Sequence, residues 1–265
     1  MSDQANWLTS AKRVVVKIGS NSVTGANENK IDNLVDALAS AMERGIQVVL
    51  VSSGAIATGM PLFDFEKKPT DLDTFQALAA VGQFRLISKY QKSLERYGII
   101  AGQVLLTVPD IQNQESRENA RKALERLFDL KALPIVNEND TVATTEIRFG
   151  DNDHLAAMVS ILIEADALVL LSDVDGIYNV PPTDPEAKLI THIPFDMDLS
   201  GLEIGGTNTG VGTGGAITKV AAARECTEVG IGVVVTNAEL VGAALTGEKV
   251  GSYFEPRPQS LESQS

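Results

Sequence analysis

The sequence predicts an α/β protein, a three-layer α/β/α sandwich around a mainly parallel central sheet. Three observations carry this reading. Short aliphatic runs alternate along the chain with segments of helical spacing, the pattern of strand–helix–strand crossovers. Each run is apolar throughout, as strands covered on both faces are, instead of alternating apolar with polar. Hydrophobic residues make up 44% of the 265 positions but aromatic ones only 5%, which suits Val/Ile/Leu strands under Ala/Leu helices.

The first strand is Arg13-Val14-Val15-Val16-Lys17-Ile18, ended by the turn Gly19-Ser20-Asn21. A helix over 31–44 follows, with Ile31, Leu34, Val35, Leu38 and Met42 on one face and Gly45 as its stop. Ile46-Gln47-Val48-Val49-Leu50-Val51 is the second strand, and Ser52-Ser53-Gly54-Ala55 turns it into a short helix. Residues 70–96 read as largely helical, either unbroken or in two pieces parted near Gly82, because glycine is a poor helix-interior residue. A third strand over 99–107, a helix over 113–130 and a fourth strand, Leu133-Pro134-Ile135-Val136-Asn137, come next. An apolar helix over 151–164, capped by Asp151, leads to the fifth strand, Ala167-Leu168-Val169-Leu170-Leu171. After a loop at Pro181-Pro182, a glycine-rich turn opens a helix to about 229, and Ile231-Gly232-Val233-Val234-Val235 is the last core strand. The chain reads as a single domain over 1–255, with a lobe of about 11–165 and a second of about 166–255. Residues 256–265 form a polar tail expected to be disordered.

The formal net charge is -13, and no Lys/Arg cluster interrupts it. That argues against nucleic-acid partners and against anionic membrane surfaces. The N-terminus lacks an apolar signal core, and no apolar run reaches the roughly 20 residues needed to span a bilayer. The single cysteine, Cys226, cannot form an internal disulfide and reads as a small core residue. A cytoplasmic protein is expected.

In open parallel sheets, ligands gather beyond the carboxyl ends of the strands. The polar groups there are Lys17, Gly19 and Ser20; Ser52, Ser53 and Gly54; Asn137, Glu138, Asn139 and Asp140; and Ser172 with Asp173. To them is added the turn Gly212-Thr213-Gly214-Gly215-Ala216-Ile217-Thr218-Lys219. Glycines let a backbone approach a bulky anion, and a helix start favours phosphate. The turn is not a P-loop, because Val220 follows Lys219 where a hydroxyl residue would hold magnesium. Each element alone has a plainer reading: a strand lysine can reach solvent, Ser-Ser-Gly is a common turn, and the polar run Gly150-Asp151-Asn152-Asp153 suits ordinary N-capping. Together they suit phosphoryl transfer, which consists mostly of positioning and charge neutralisation. Lys17 and Lys219 would flank the transferred group, Asp173 would hold the lysines in place, and Asp140 would bind a substrate ammonium. His154 and His192 lack the spacing of a metal site or a nucleophile relay.

These residues resemble the amino acid kinase family, and most closely its glutamate-phosphorylating branch. The matching segments are Val16-Lys17-Ile18-Gly19-Ser20, Val51-Ser52-Ser53-Gly54-Ala55, Val136-Asn137-Glu138-Asn139-Asp140, Phe149-Gly150-Asp151-Asn152-Asp153, Leu171-Ser172-Asp173-Val174-Asp175-Gly176 and Gly212-Thr213-Gly214-Gly215 through Lys219. Their order and spacing match from about residue 11 to about 254. The resemblance implies ATP-dependent phosphorylation of the L-glutamate γ-carboxylate, the first step of proline synthesis, with Mg2+ on the ATP phosphates. It implies catalytic roles for Lys17, Lys219 and Asp173, and glutamate binding by Ser53, Gly54, Asp140 and Asn152, with Ser53 and Asn152 at the carboxylates. It implies nucleotide binding by Lys17, Ser172, Asp173, Thr213, Gly214, Gly215, Ala216, Ile217, Thr218 and Lys219. It further implies feedback inhibition by L-proline, a homodimer or tetramer through helices near 70–96, and a downstream glutamyl phosphate reductase. The chain departs from the family pattern at Ala216, where methionine is usual, at Val180-Pro181, where Asp-Pro is usual, and at Asn21, where a hydroxyl residue is usual. Many members carry a C-terminal RNA-binding-like domain, which this chain, ending soon after Phe254, is expected to lack. The alternatives are a sister kinase acting on N-acetylglutamate, aspartate or UMP, and a non-catalytic sensor on the same fold.

Overall fold

The computed structural model of the chain describes residues 8–25, 30–67, 69–142, 152–199 and 215–258. Among the described residues, eight strands form one sheet: β1 (Arg13–Ile18), β2 (Gln47–Ser52), β3 (Ala101–Leu106), β4 (Leu133–Glu138), β5 (Ala167–Ser172), β6 (His192–Ile193), β7 (Gly232–Asn237) and β8 (Ser252–Phe254). Their order is β3-β4-β2-β1-β5-β7-β8-β6. All pairings from β3 to β7 are parallel. At the edge, β8 pairs antiparallel with β7 and β6 pairs parallel with β8, so these two strands run against the rest of the sheet. The six expected strands are all present. β6 and β8 are additions at the edge, too short to leave a periodic signal and formed by tertiary pairing.

The helices are α1 (Lys30–Glu43), α2 (Ala55–Gly59), α3 (Leu72–Leu94), α4 (Val108–Gln112), α5 (Gln114–Asp129), α6 (Asn152–Leu162), α7 (Ala216–Glu228) and α8 (Val241–Leu245). They cover both faces of the sheet. Val15, Val49, Val51, Val136, Leu168 and Leu170 pack with α5, α6 and α7. Val14, Val16, Val48, Leu50, Ile135 and Val169 pack with α1, α3 and α8. Successive strand residues thus feed opposite layers, as the two-residue period of a strand requires. This fixes the direction of Lys17: two residues after Val15, it belongs to the α6 face. Cys226 is fully buried in that layer, and its surroundings push the thiol up to about 12. It is a core residue, as expected.

Of the two readings of 70–96 the unbroken one holds: helix α3 is continuous through Gly82. Asp71 starts it, its carboxylate accepting from the Thr74 N–H at 2.9 Å. Gly82 is there for close approach. A Cβ at this position would lie 1.8 Å from the Ala55 carbonyl oxygen and 2.6 Å from the Gly59 nitrogen. From the other side, a Cβ on Gly59 would lie 2.2 Å from the Leu78 carbonyl oxygen. Backbone therefore packs on backbone where α2 crosses α3. Gly82→Ala is expected to destabilise the fold by roughly 3 kcal/mol, because overpacking against rigid backbone outweighs the roughly 1 kcal/mol gain in helix propensity. Urea denaturation measures this, and an unchanged or raised midpoint would contradict the account.

Candidate active site

The carboxyl ends of β1, β2, β4 and β5 meet at the middle of the sheet, where the strand order reverses between β1 and β5. That is the expected place for a ligand in an open parallel sheet. Lys17 comes from β1 and Lys219 from the first turns of α7, which opens at Gly215. Both are nearly enclosed, at 4% and 6% exposure.

The two lysines converge on one carboxylate. Lys17 Nζ lies 2.6 Å from Asp153 Oδ1, and Lys219 Nζ lies 3.1 Å from Asp153 Oδ2. The Thr218 hydroxyl also faces Asp153 Oδ2, at 2.7 Å, and the Gly215 carbonyl oxygen, at 2.9 Å. Asp153 has no exposed surface. Burial pushes its carboxyl up, but Lys17 and Lys219 together, with hydrogen bonds from Lys17 and Thr218, outweigh that and hold it at about 2. Two ammonium groups against one carboxylate leave a net positive charge at the head of the sheet, suited to an incoming anion.

This corrects the part expected of Asp173. That residue is exposed beyond β5, where its carboxylate faces the Ser172 hydroxyl at 3.4 Å. The carboxylate joining the lysines is Asp153, in the first turn of α6 on the Lys17 side of the sheet. Sequence reasoning passed over it because a polar run at a helix start reads as capping. The available signal was a second carboxylate after Asn152, leading into an otherwise apolar helix.

A polar cluster occupies the ends of β2 and β4. The Asn152 side-chain nitrogen lies 3.1 Å from the Ser52 carbonyl oxygen, 2.8 Å from Ser53 Oγ and 3.0 Å from Asn137 Oδ1. Its oxygen is buried with no hydrogen-bond partner among the described residues. A backbone carbonyl can only accept, so the Asn152 atom facing Ser52 must be the nitrogen. Asn152 therefore offers a ligand an acceptor, and an amide oxygen repels a carboxylate. As an acceptor, this oxygen suits the hydrogens of a cation better than the substrate carboxylates that the family resemblance implies. Gly54, at φ 105°, turns the chain from β2 into α2, and this left-handed conformation favours glycine.

Asp140 opens a short 3-10 turn, Asp140–Val142, just past β4. Burial pushes its carboxyl up, and the neighbouring Glu138 carboxylate pushes it further, to about 7. Two adjacent carboxylates form an electrostatic well for a cation. On the α7 side, Ser172 is nearly buried, Ala216 packs partly against the core, and Ile217 is 57% exposed. Thr213 and Gly214 lie outside the described residues, as does Asp151. His154 pairs with Glu225 at 3.0 Å and His192 stacks on Tyr253.

The chain is similar to known proteins along nearly its whole length. The model of the amino acid kinase family matches residues 12–237. Glutamate 5-kinase of Clavibacter michiganensis subsp. michiganensis is 60% identical over 250 residues, 94% of this chain and 96% of that protein. Glutamate 5-kinase of Leifsonia xyli subsp. xyli is 58% identical over 97% of this chain and 96% of its own length. That of Salinispora arenicola is 51% identical over 95% of this chain but 70% of its own length. Among solved structures, carbamate kinase from Giardia lamblia bound to AMP-PNP superposes with a TM-score of 0.64 at 14% identity, covering 94% of this chain and 99% of that one. The last likeness concerns the fold alone. With the family model spanning most of the sheet and relatives of this similarity along nearly the whole length, the chain belongs to the amino acid kinase family.

Proposed function

We infer that the chain transfers the γ-phosphoryl group of ATP to the γ-carboxylate of L-glutamate, giving L-glutamyl 5-phosphate in the first step of L-proline synthesis. The observation that carries this reading is the convergence of Lys17 and Lys219 on Asp153. A carboxylate of pKa about 4.3 is ionised at neutral pH and attacks without a general base. The difficulty is bringing two anions together, and a pair of lysines held by one carboxylate meets it. The relatives' shared name supports glutamate as the acceptor.

The acid would lie over the ends of β2 and β4, with its ammonium at Asp140 and Asn152 Oδ1 and its carboxylates near Ser53 and Gly54. The nucleotide would lie over β5 and the start of α7, at Ser172, Asp173 and Thr213 through Lys219. Residues up to about 165 thus serve the acid and later ones the nucleotide, with Lys17 reaching across. Both oxygens of Asp153 face lysines, which leaves magnesium to the phosphate oxygens of ATP, its usual seat. When bound there, the ion neutralises charge between the phosphates. Feedback by L-proline, a homodimer or tetramer built through α3, and delivery of the labile product to a reductase complete the proposal.

Trapping the acyl phosphate with hydroxylamine tests it. Hydroxamate is expected with ATP and L-glutamate, and little with N-acetylglutamate or aspartate. An acylated amine carries no charge for Asp140, so a signal from N-acetylglutamate alone would assign the chain to a sister kinase.

A further inference from the structure

Helix α3 contributes a side chain to the acid site that no motif marks. Gln83 is 9% exposed, and its Oε1 accepts from Asn137 Nδ2 at 2.6 Å. Asn137 Oδ1 accepts in turn from the Glu138 backbone N–H at 2.9 Å and from Asn152 Nδ2 at 3.0 Å. Backbone groups fix the sense of this chain at both ends. The Glu138 N–H can only donate, so Asn137 must turn its oxygen to it and its nitrogen to Gln83. The Ser52 carbonyl can only accept, so Asn152 must turn its nitrogen inward. Asn152 Oδ1 is then left as the buried acceptor without a partner among the described residues.

Gln83 is itself held firmly. Its neighbour Gly82 sits in backbone contact with Ala55, the residue after Gly54. Two turns along the same helix, Tyr90 Oη lies 2.9 Å from Ser52 Oγ. The helix also packs against the Asp140–Val142 turn. One rigid helix therefore braces β2, β4 and the acidic turn together.

We propose that Gln83 is a positioning residue for substrate recognition: it locks the Asn137 amide, which locks Asn152, so that Asn152 Oδ1 is presented to the free ammonium of the amino-acid substrate. Without an acceptor at position 83, the buried Asn137 nitrogen is unsatisfied and the amide is free to swing. Selection for an unacylated amine would then weaken, while the lysine–Asp153 centre stays intact.

The inference rests on glutamate as substrate, so its test has an arm that needs no substrate. Gln83→Met keeps the length and apolar stem but removes the acceptor; Gln83→Glu keeps an acceptor whether or not it is ionised. With L-glutamate and glutarate as probes, Gln83→Met should raise KM for glutamate about tenfold. It should leave KM for ATP within about twofold and narrow the preference for glutamate over glutarate. Gln83→Glu should recover most of the glutamate KM. In the ligand-free protein, the side-chain NH2 signals of Asn137 and Asn152 should exchange with solvent faster in Gln83→Met than in wild type or Gln83→Glu. An unchanged glutamate KM with unchanged exchange overturns the proposal. So does a parallel loss in both KM values and thermal stability, or a Gln83→Glu variant no better than Gln83→Met. If the wild type does not use glutamate, the functional reading fails, and the exchange measurement still decides whether Gln83 orders the two amides.

Discussion

Asp153→Asn is expected to lower kcat by roughly 10²–10³-fold and to destabilise the protein by roughly 3 kcal/mol. The kinetic part follows from geometry. Asp153 faces Lys17 at 2.6 Å and Lys219 at 3.1 Å, so it sets where both cations stand relative to a phosphoryl group between them. Asparagine keeps the shape but supplies no charge, and the lysines then repel each other. The stability part lies at the low end for breaking a buried ion pair, because lysine stems are long enough to move toward the open end of the sheet. The same carboxylate gives the wild type an acid-sensitive term. Its folded pKa of about 2 is below the ordinary value, so the stabilisation is full above about pH 4 and is lost as pH falls through about 2. It amounts to about 2 kcal/mol. Urea midpoints between pH 5 and 2 should fall less steeply in Asp153→Asn, and steady-state kinetics at pH 7.5 should show the loss in kcat. Wild-type kcat in this variant would remove Asp153 from the mechanism.

The strands were readable because parallel strands buried on both faces are unbroken aliphatic runs, and the site region because ligands in such sheets lie beyond the carboxyl ends. Lys17, Ser53 and Asp140 could be singled out on that ground, Lys219 by its glycine-rich turn, and Asn152 only through the family resemblance. What could not be read was pairing at a distance. Lys17 in its strand is compatible with solvent or with the α6 layer until the sheet's faces are assigned. Asp153 and Asp173 both follow plausible polar motifs, and only the packing of α6 decides which carboxylate reaches the lysines. Gly82 shows the same limit: its propensity argues for a break, whereas contact with Ala55 and Gly59 requires a glycine inside an unbroken helix. Gln83 carries no local signal, because its role depends on the amide of Asn137, 54 positions away.

Lys219→Ala should lower kcat by about 10³-fold or more while L-glutamate still binds with near-normal affinity. Lys219 faces Asp153, whereas the polar cluster at the ends of β2 and β4 is held together by Ser52, Ser53, Asn137 and Asn152, so the acid's contacts are expected to survive its removal. The centre then holds one lysine against one carboxylate and loses its net positive charge, just where the transferred phosphoryl group concentrates negative charge. Asp153 also loses one of the two cations that hold it low, so its carboxyl should titrate nearer the ordinary range. Arginine is not expected to restore turnover. Thr218 already faces Asp153 Oδ2 at 2.7 Å, and a planar guanidinium is bulkier than the ammonium that fits beside it. Calorimetry with L-glutamate and hydroxamate assays on Lys219→Ala, Lys219→Arg and Lys17→Ala separate binding from turnover. Full activity in Lys219→Ala would sink the two-lysine account, whereas loss of glutamate binding together with turnover would move Lys219 from the transferred group to the architecture of the acid site.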